Sequence, residues 1–458
     1  MPMNKQEIYR EVDQLQPIFD DSVASLFAHP ETGGNEQFSA NYLRNVLAKE
    51  GFTIHNSEKM EHAFYAEYGQ GKPVIAILGE YDALPGLSQK PVAHQEAVQD
   101  GGPGHGCGHN LLGSAALIGA LATKRCLEKE KISGTIRFYG CPEEELLSGK
   151  VKMLRLGMFD GCNLALSWHP MDVNCAYEES YLANISVRFF FHGKTAHAAV
   201  APWQGRSALD AVELMNVGVN YLREHVIDSA RIHYSTNCKD IPPNIVPDYA
   251  SSWYFIRAPH MADVLSILDR VEKVAKGAAM MTETTVDIDV EYGCWEMKKA
   301  KVMTDVCYEN LKEAPAPQFT KEEIELAKAI QKSLDPQIVQ NKNQLYGTKR
   351  VMHPIVGDRS FWKIAFMTAS TDTGDVSFNM PMSTFSCACW PVGVAPHTWQ
   401  AAACAGSSLG AKGAFYAAHV IAGQAFDFLH DPEYVQAAKK EFNENQDIQY
   451  QSILNHFE

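Results

Sequence analysis

The chain has 458 residues, more than one hydrophobic core ordinarily accommodates, so its length predicts two domains. Hydrophobic residues make up 46% of the sequence and charged residues 21%, which is typical of a folded soluble protein. The formal net charge of -15 argues against nucleic acid and anionic membranes as partners, because basic surfaces hold both of these.

The first residues are polar and do not form the apolar core of a secretory signal peptide. No run of about 18 uncharged apolar residues is present, so we expect no transmembrane helix. The 11 cysteines are scattered without a disulfide framework. Together these features predict reduced thiols and a cytoplasmic location.

The first third of the chain alternates between helical and strand patterns. Apolar residues recur at helical spacing twice in the first 50 residues, around 8–19 and around 42–47, and predict two helices. Short apolar runs and an Ala- and Leu-rich stretch follow, and they predict strands at 73–79, 135–140 and 163–167 and a buried helix at 111–126. Such alternation predicts an α/β layered core.

The pattern changes near residue 184. Strands are predicted at 184–191, 249–256 and 285–290, and helices at 207–224 and 261–280, which would form a compact α+β unit. Polar and Pro-rich segments follow and indicate loops. The Ala-rich sequence after His397 then predicts one long helix that runs through Ala425. We therefore predict a catalytic domain, residues 1–183 and 297–458, interrupted by an inserted domain, residues 184–296.

Potential metal ligands stand beside turn-forming residues in four segments: 104–110, 142–145, 167–170 and 396–400. They supply thiol, imidazole and carboxylate groups, the ligands of a transition-metal hydrolase. In an extended chain Cys107 and His109 would face the same side, whereas adjacent glutamates would face opposite sides, one toward a metal and one toward a water. Each segment also has a simpler interpretation as a glycine turn, a solvated acidic loop, or a histidine at the end of an element.

Three further segments carry polar residues of interest. Asp82 follows the first central strand and has the placement of a carboxylate that orients a ligand histidine, although an ordinary turn residue is the alternative. The segments around His197 and Asn244 are interpreted as loops on the residues alone.

The order of these motifs resembles the aminoacylase–carboxypeptidase metallopeptidase family. The matching residues are Asp-Ala-Leu-Pro at 82–85, Cys-Gly-His at 107–109, Glu-Glu at 144–145, His-Pro at 169–170, Gly-Lys-Thr-Ala-His-Ala at 193–198, Asn244 with Pro247, and His397. The sequences of segments 79–86, 104–110, 370–377 and 397–400 are similar to the corresponding motifs of the amidohydrolase branch that acts on aminobenzoyl-glutamate.

The resemblance implies a mixed-sheet α/β catalytic domain that binds two divalent ions, Zn or Mn, and an inserted ferredoxin-like lid that forms a homodimer. Carried over by position, Cys107 would bridge the two ions, and His109, Glu145, His169 and His397 would complete their sites. Glu144 would be the general base, and His197 would reach the partner's active site to stabilise the oxyanion. Asn244 would contact substrate, Asp82 would orient a ligand, and Asp375 would line the metal pocket.

One segment departs from the family pattern. Many relatives have Ala at the position of Glu143 and glycines at those of Leu146 and Leu147. The register to Gly149 and Lys150 favours Glu144 and Glu145 as the two acting carboxylates.

The predicted reaction is metal-assisted hydrolysis of the amide bond of an N-acyl amino acid such as p-aminobenzoyl-glutamate. A dipeptidase or an N-acyl-amino-acid deacylase is the alternative within the same chemistry. Outside it, Cys107 would be the nucleophile of a cysteine hydrolase, or the chain would be a non-catalytic protein. The resemblance also leaves open a second, different subunit.

Overall fold

The computed structural model describes residues 3–177, 180–356, 366–446 and 448–456. Contacts divide the chain into two compact units. The first unit comprises Met1–Glu179, Lys299–Ala365 and Val376–Tyr450, and the second comprises Ser180–Lys298, Phe366–Asp375 and Gln451–Glu458. The inserted domain expected at 184–296 lies inside the long segment of the second unit.

The first unit is built on a mixed seven-stranded sheet with the strand order β1-β2-β4-β3-β5-β13-β6. Its strands, numbered along the chain, are β1 (Thr53–Asn56), β2 (Phe64–Gln70), β3 (Val74–Glu80), β4 (Gly134–Cys141), β5 (Leu164–Met171), β6 (Cys175–Ala176) and β13 (Met382–Ala388). The four central strands β4, β3, β5 and β13 run parallel to one another. The fold is therefore α/β, as predicted.

The helices of the first unit are α1 (Lys5–Gln14), α2 (Gln16–Ala28), α3 (Gln37–Lys49), α4 (His109–Glu130), α5 (Gly149–Arg155), α8 (Lys301–Glu313), α9 (Lys321–Gln331), α10 (Pro336–Tyr346), α12 (Trp399–Ala405), α13 (Ser408–His430) and α14 (Pro432–Glu444). Strand β3 is apolar almost throughout because it pairs on both edges and is buried. Helices α4 and α13 are buried along most of their length, so the core lies between them and the sheet.

The prediction of two helices in the first 50 residues was wrong, because the structure has three there. Helix α1 ends at Gln14, and α2 begins at Gln16 with Pro17 in its first turn. A proline has no amide hydrogen for the preceding turn and is tolerated at a helix start, so it separates two helices that share one apolar pattern.

The single long helix predicted after His397 is also two helices. Helix α12 ends at Ala405 and α13 begins at Ser408. The ring of Phe27 lies where a Cβ atom on Gly406 would be, with its Cζ only 2.2 Å from that position. The break thus coincides with a glycine that lets an aromatic ring approach the backbone.

The second unit contains a four-stranded antiparallel sheet with the order β11-β8-β10-β9. Its elements are β7 (Ser180–Tyr181), β8 (Ala183–His192), α6 (Ala208–Leu222), β9 (Arg231–Cys238), β10 (Tyr249–Ala258), α7 (Met261–Thr282), β11 (Thr285–Cys294) and β12 (Phe366–Met367). The short helix α11 (Thr373–Ser377) begins in this unit and ends in the first. The succession β8-α6-β9-β10-α7-β11 is the ferredoxin-like arrangement that was expected.

Strand β9 was missed in the sequence. It is an edge strand whose side chains are mostly exposed, so it lacks the apolar alternation that marks a half-buried strand. None of the helices in the described part of the chain is both long enough and apolar enough to cross a membrane.

Candidate metal centre

The carboxyl ends of the parallel strands β3, β4 and β5 lie at one edge of the first unit's sheet, where α/β proteins place ligand sites. Asp82 follows β3 by two residues, and residues 142–147, here called the glutamate turn, follow β4. His169 lies inside the carboxyl end of β5, rather than after the strand as expected. The sheet edge therefore gathers residues that are far apart in the sequence.

Two groups of three possible metal ligands share Cys107. One donor atom each from Cys107, His109 and His169 lie within 4.8 Å of one another, and so do those from Cys107, Glu145 and His397. The Sγ atom of Cys107 is 3.3 Å from Nε2 of His169. We call these five residues the ligand cluster. Because Cys107 is common to both groups, the two groups share one sulfur.

His109 does not extend from a strand-like turn, as the spacing suggested, but is the first residue of α4. It follows Gly108, whose φ of 77° lies in the left-handed region that glycine adopts without strain. The Nδ1 atom of His109 is 2.8 Å from Oδ1 of Asp82. This contact occupies Nδ1, so Nε2 is the nitrogen left to bind a metal ion. That Asp82 orients a ligand ring stays a prediction.

The three consecutive glutamates do not alternate along an extended chain; they lie in a turn. Glu143 has a φ of 60°, and its carboxylate accepts hydrogen bonds from Ser148 Oγ and Lys152 Nζ. Oε2 of Glu144 is 3.8 Å from Nε2 of His109. Oε2 of Glu145 is 3.3 Å from Nε2 of His397. The geometry thus directs Glu144 and Glu145, but not Glu143, toward the ligand cluster.

His397 occupies a backbone conformation that is uncommon outside glycine, with a φ of 63°. Its amide donates a hydrogen bond of 2.8 Å to the carbonyl of Gly106, which ties this late loop to the motif of Cys107. Its ring is more than half exposed, whereas His109 is fully buried. Strained residues of this kind occur where the surrounding structure over-determines the backbone, often at functional sites.

A buried ion pair beside the cluster was not recognised in the sequence. Lys150 is fully buried, and its Nζ is 2.7 Å from Oε1 of Glu80, while Oε2 of Glu80 is 3.4 Å from Nε2 of His109. The available signal was a charged residue at the end of the apolar strand β3. Only the fold shows that the lysine 70 positions later lies next to it.

Burial dominates the electrostatics of the cluster. Burial raises the pKa of the Cys107 thiol well above its usual value, and the nearby Glu145 carboxylate adds to the effect. Burial lowers the pKa of His169 to about 4, and His109 contributes in the same direction. Burial also opposes ionisation of Glu145, but the hydrogen bond from His397 and the nearby imidazoles outweigh it and lower the pKa of that carboxyl group.

The donor atoms of the cluster fit divalent ions. Among the described residues, Nε2 of His109 and Oε1 of Glu145 are buried without a hydrogen-bond partner, which is costly unless something else satisfies them. A thiolate, imidazoles and a carboxylate are the donors that Zn and similar ions take. The residues present therefore suit a pair of metal ions.

The remaining predicted residues belong to the second unit. His197 and Ile245 form an isolated bridge, and the carbonyl of Asn244 accepts the amide of Ala198 at 2.9 Å, so the two loops that carry His197 and Asn244 are adjacent. Asp375 is fully buried and accepts the amide of Trp295 at 2.9 Å. Its place in the metal pocket stays a prediction.

Comparisons with known proteins agree with this architecture. Residues 182–280 match the model of a peptidase dimerisation domain. The chain is 41% identical to one of the subunits of p-aminobenzoyl-glutamate hydrolase from Escherichia coli (strain K12), over 97% of this chain and 96% of that protein. It is 32% identical to the Xaa-Arg dipeptidase of Mus musculus, over 47% of each chain.

Solved structures share the fold at low sequence identity. A dinuclear metal-binding peptidase of the M20 family from Bacillus subtilis aligns with a TM-score of 0.59 at 16% identity, covering 91% of this chain and 99% of that one. An aminobenzoyl-glutamate utilisation protein from Klebsiella pneumoniae gives the same TM-score and identity, covering 90% and 98%. The full-length similarity to the hydrolase subunit, the dimerisation-domain match and the shared fold together show that this chain belongs to the M20 family of peptidases and amidohydrolases.

Proposed function

We propose that this protein is a metal-dependent amidohydrolase that cleaves the amide bond of N-acyl amino acids such as p-aminobenzoyl-glutamate. The observation that carries the proposal is the pair of ligand triads that share Cys107, with the carboxylate of Glu144 beside them. The extensive similarity to a p-aminobenzoyl-glutamate hydrolase subunit supports this substrate class.

The ligand cluster would hold two divalent ions, Zn or Mn. When bound, such ions lower the pKa of a water molecule and polarise the amide carbonyl. Glu144 would accept the proton of the attacking water and return it to the leaving amine, since its carboxylate is directed at the cluster but completes neither triad with Cys107. The sulfur of Cys107 favours Zn, whereas carboxylate oxygens also suit Mn.

His197 has the hydrogen-bonding pattern that an oxyanion donor needs. Its Nδ1 accepts the amides of Ala199 and Val200, each at 3.2 Å. In the neutral imidazole the proton therefore resides on Nε2, which becomes a hydrogen-bond donor. One donor of this kind contributes about 3 kcal/mol to stabilisation of an oxyanion. Asn244, on the adjacent loop, would contact substrate.

We also propose that the chain forms a homodimer through its second unit, with His197 acting in the partner's site. The match to a dimerisation domain over residues 182–280 supports this assembly. Similarity to a protein that is named as one subunit of a hydrolase leaves open a second, different subunit. The cytoplasmic location stays a prediction of the sequence.

A dipeptidase or an N-acyl-amino-acid deacylase is the second candidate. It is favoured by similarity to the Xaa-Arg dipeptidase and to an N-acetylcysteine deacetylase of Bacillus subtilis (strain 168), which is 26% identical over 56% of this chain. Nucleophilic attack by Cys107 is disfavoured, because a cysteine hydrolase needs one histidine and would leave Glu145 and the other histidines around the thiol without a role.

The test measures metal content of the purified chain by elemental analysis, together with glutamate release from p-aminobenzoyl-glutamate. Activity is compared before chelation, after chelation, and after Mn or Zn is returned. We expect about two ions per chain and activity that falls on chelation and recovers on metal return.

Other outcomes discriminate the alternatives. Two ions without glutamate release would direct the search to dipeptides and other N-acyl amino acids, and activity only after addition of another subunit would establish partner dependence. Absence of both metal and rescue would refute the metallohydrolase proposal. Sensitivity to thiol alkylation without sensitivity to a chelator would favour Cys107 as the nucleophile.

A further inference from the structure

Glu36 is a buried carboxyl group that the proposed mechanism does not use. It precedes α3 and is fully buried. Its Oε1 accepts the backbone amide of Glu143 at 2.7 Å. Among the described residues Oε2 has no hydrogen-bond partner. Burial, with the nearby Asp82 carboxylate, raises the pKa of Glu36 to about 8, which favours a neutral carboxyl group at neutral pH.

A second carboxylate holds the same turn two residues later. Oδ2 of Asp82 accepts the backbone amide of Glu145 at 2.8 Å. The amides on either side of Glu144 are therefore each held by a buried carboxyl group from another part of the fold. The turn is closed by a hydrogen bond of 2.7 Å from the amide of Leu147 to the carbonyl of Glu144.

The turn needs such support because of its backbone conformation. Glu143 has a φ of 60° and Leu147 a φ of 55°, both in the left-handed region that residues with a Cβ seldom occupy. A residue in this conformation is strained and persists only where its surroundings impose it. Without an acceptor for the Glu143 amide, the turn can relax toward ordinary angles and carry Glu144 away.

We propose that Glu36 is a positioning residue for Glu144: by accepting the amide of Glu143, it holds the glutamate turn in the conformation that directs the general base at the ligand cluster. The inference rests on the proposed function, since it takes Glu144 as the base. The acceptor oxygen of Glu36, and not its charge, performs this task.

The test compares three variants at position 36 for kcat, KM and metal content. Glu36→Gln keeps an acceptor oxygen and is neutral, so we expect kcat within about threefold of the unchanged protein. Glu36→Ala removes the acceptor, and we expect kcat to fall about 100-fold with KM and two-metal content nearly unchanged, because small misplacements of a catalytic group have effects of this size. Glu36→Asp, one methylene shorter, should resemble Glu36→Ala and replaces it if that variant does not fold.

Glu31→Ala is the matched control. The Glu31 carboxylate accepts the amides of Phe38 and Ser39 at the start of the same helix α3. It has no described hydrogen bond to the glutamate turn, so its removal should lower stability without lowering kcat. Equal losses of kcat in Glu31→Ala and Glu36→Ala would overturn the proposal. A large loss of kcat in Glu36→Gln would also overturn it, and so would full activity in both Glu36→Ala and Glu36→Asp.

Hydrogen exchange of the Glu143 amide gives a readout that does not depend on the substrate. We expect exchange to be at least about tenfold faster in Glu36→Ala than in the unchanged protein, with Glu36→Gln remaining slow. If the unchanged protein hydrolyses no amide, the proposed function fails. This measurement would still test whether the hydrogen bond from the Glu143 amide to Glu36 stabilises the turn. Unchanged exchange in Glu36→Ala would refute the role of Glu36 whatever the substrate.

Discussion

Glu143 and Glu144 are adjacent and chemically identical, yet they make different contacts. Glu144 faces His109, whereas Glu143 is bound to Ser148 and Lys152. We predict that Glu144→Gln lowers kcat by about 10²–10⁴-fold while both metal ions remain, because a general base contributes on that order. Glu143→Gln, the matched control, should retain kcat within a few-fold.

Steady-state kinetics with metal analysis of both variants would check this assignment. A large loss of kcat in Glu143→Gln together with an active Glu144→Gln would transfer the base to Glu143. Loss of metal from Glu144→Gln would instead make Glu144 a ligand.

Asp82 connects two parts of the site, since one carboxylate oxygen contacts Nδ1 of His109 and the other accepts the amide of Glu145. We predict that Asp82→Ala weakens metal binding by about 10- to 100-fold, because the ligand ring loses the group that orients it. Competition with a chromophoric chelator measures this affinity. Glu67→Gln removes a carboxylate that pairs with Arg137 on the same sheet and should leave metal affinity unchanged.

At the scale of elements, α6 carries apolar residues on both of its faces. Ala211, Val212 and Met215 are buried, whereas Leu214, Val217 and Tyr221 are 39%, 52% and 74% exposed. These three exposed side chains lie at helical spacing and form one apolar stripe. An exposed stripe of this kind within a dimerisation domain is the expected contact surface of a homodimer.

We predict that the double variant Leu214→Lys and Val217→Lys converts the proposed homodimer to a monomer, because two buried positive charges would face their symmetry mates. Size-exclusion chromatography with light scattering measures the mass. Ile338→Lys, at an exposed apolar position on α10, should leave the mass unchanged. A double variant that remains dimeric would place the interface elsewhere.

Elements with strong apolar patterns could be predicted, and weaker ones could not. The run that forms β3 is apolar because the strand is buried on both faces. Strand β9 escaped detection because its pairing with β10 places a polar segment at a sheet edge. The boundaries of α1 and α2 and of α12 and α13 depended on single residues, Pro17 and Gly406, inside continuous patterns.

At the scale of the whole molecule, Glu144 belongs to the first unit and His197 to the second. If His197 acts in the partner's site, a mixed dimer of Glu144→Gln and His197→Ala chains contains one site with both residues intact. We predict that mixing the two inactive variants restores up to about a quarter of normal activity, the statistical share of intact sites. Activity after subunit exchange measures this recovery.

A mixture of Glu144→Gln with His109→Ala is the control. Both residues lie in the first unit, so no site regains an intact set and no activity should appear. Recovery in this control would show that the assay responds to something other than shared sites. Absence of recovery in the His197 mixture would place His197 in its own chain's site.

The sequence by itself predicted the α/β core, because helix and strand periodicity are local properties of the chain. The order of its motifs supplied the resemblance that identified the family. Only the tertiary structure decided which atoms meet. In the folded chain Glu143 contacts Lys152, and Lys150 pairs with Glu80. Glu36, at the start of α3, accepts the amide of Glu143. These contacts join residues from separate elements, and no local pattern encodes a hydrogen bond that forms only when the sheet edge is assembled.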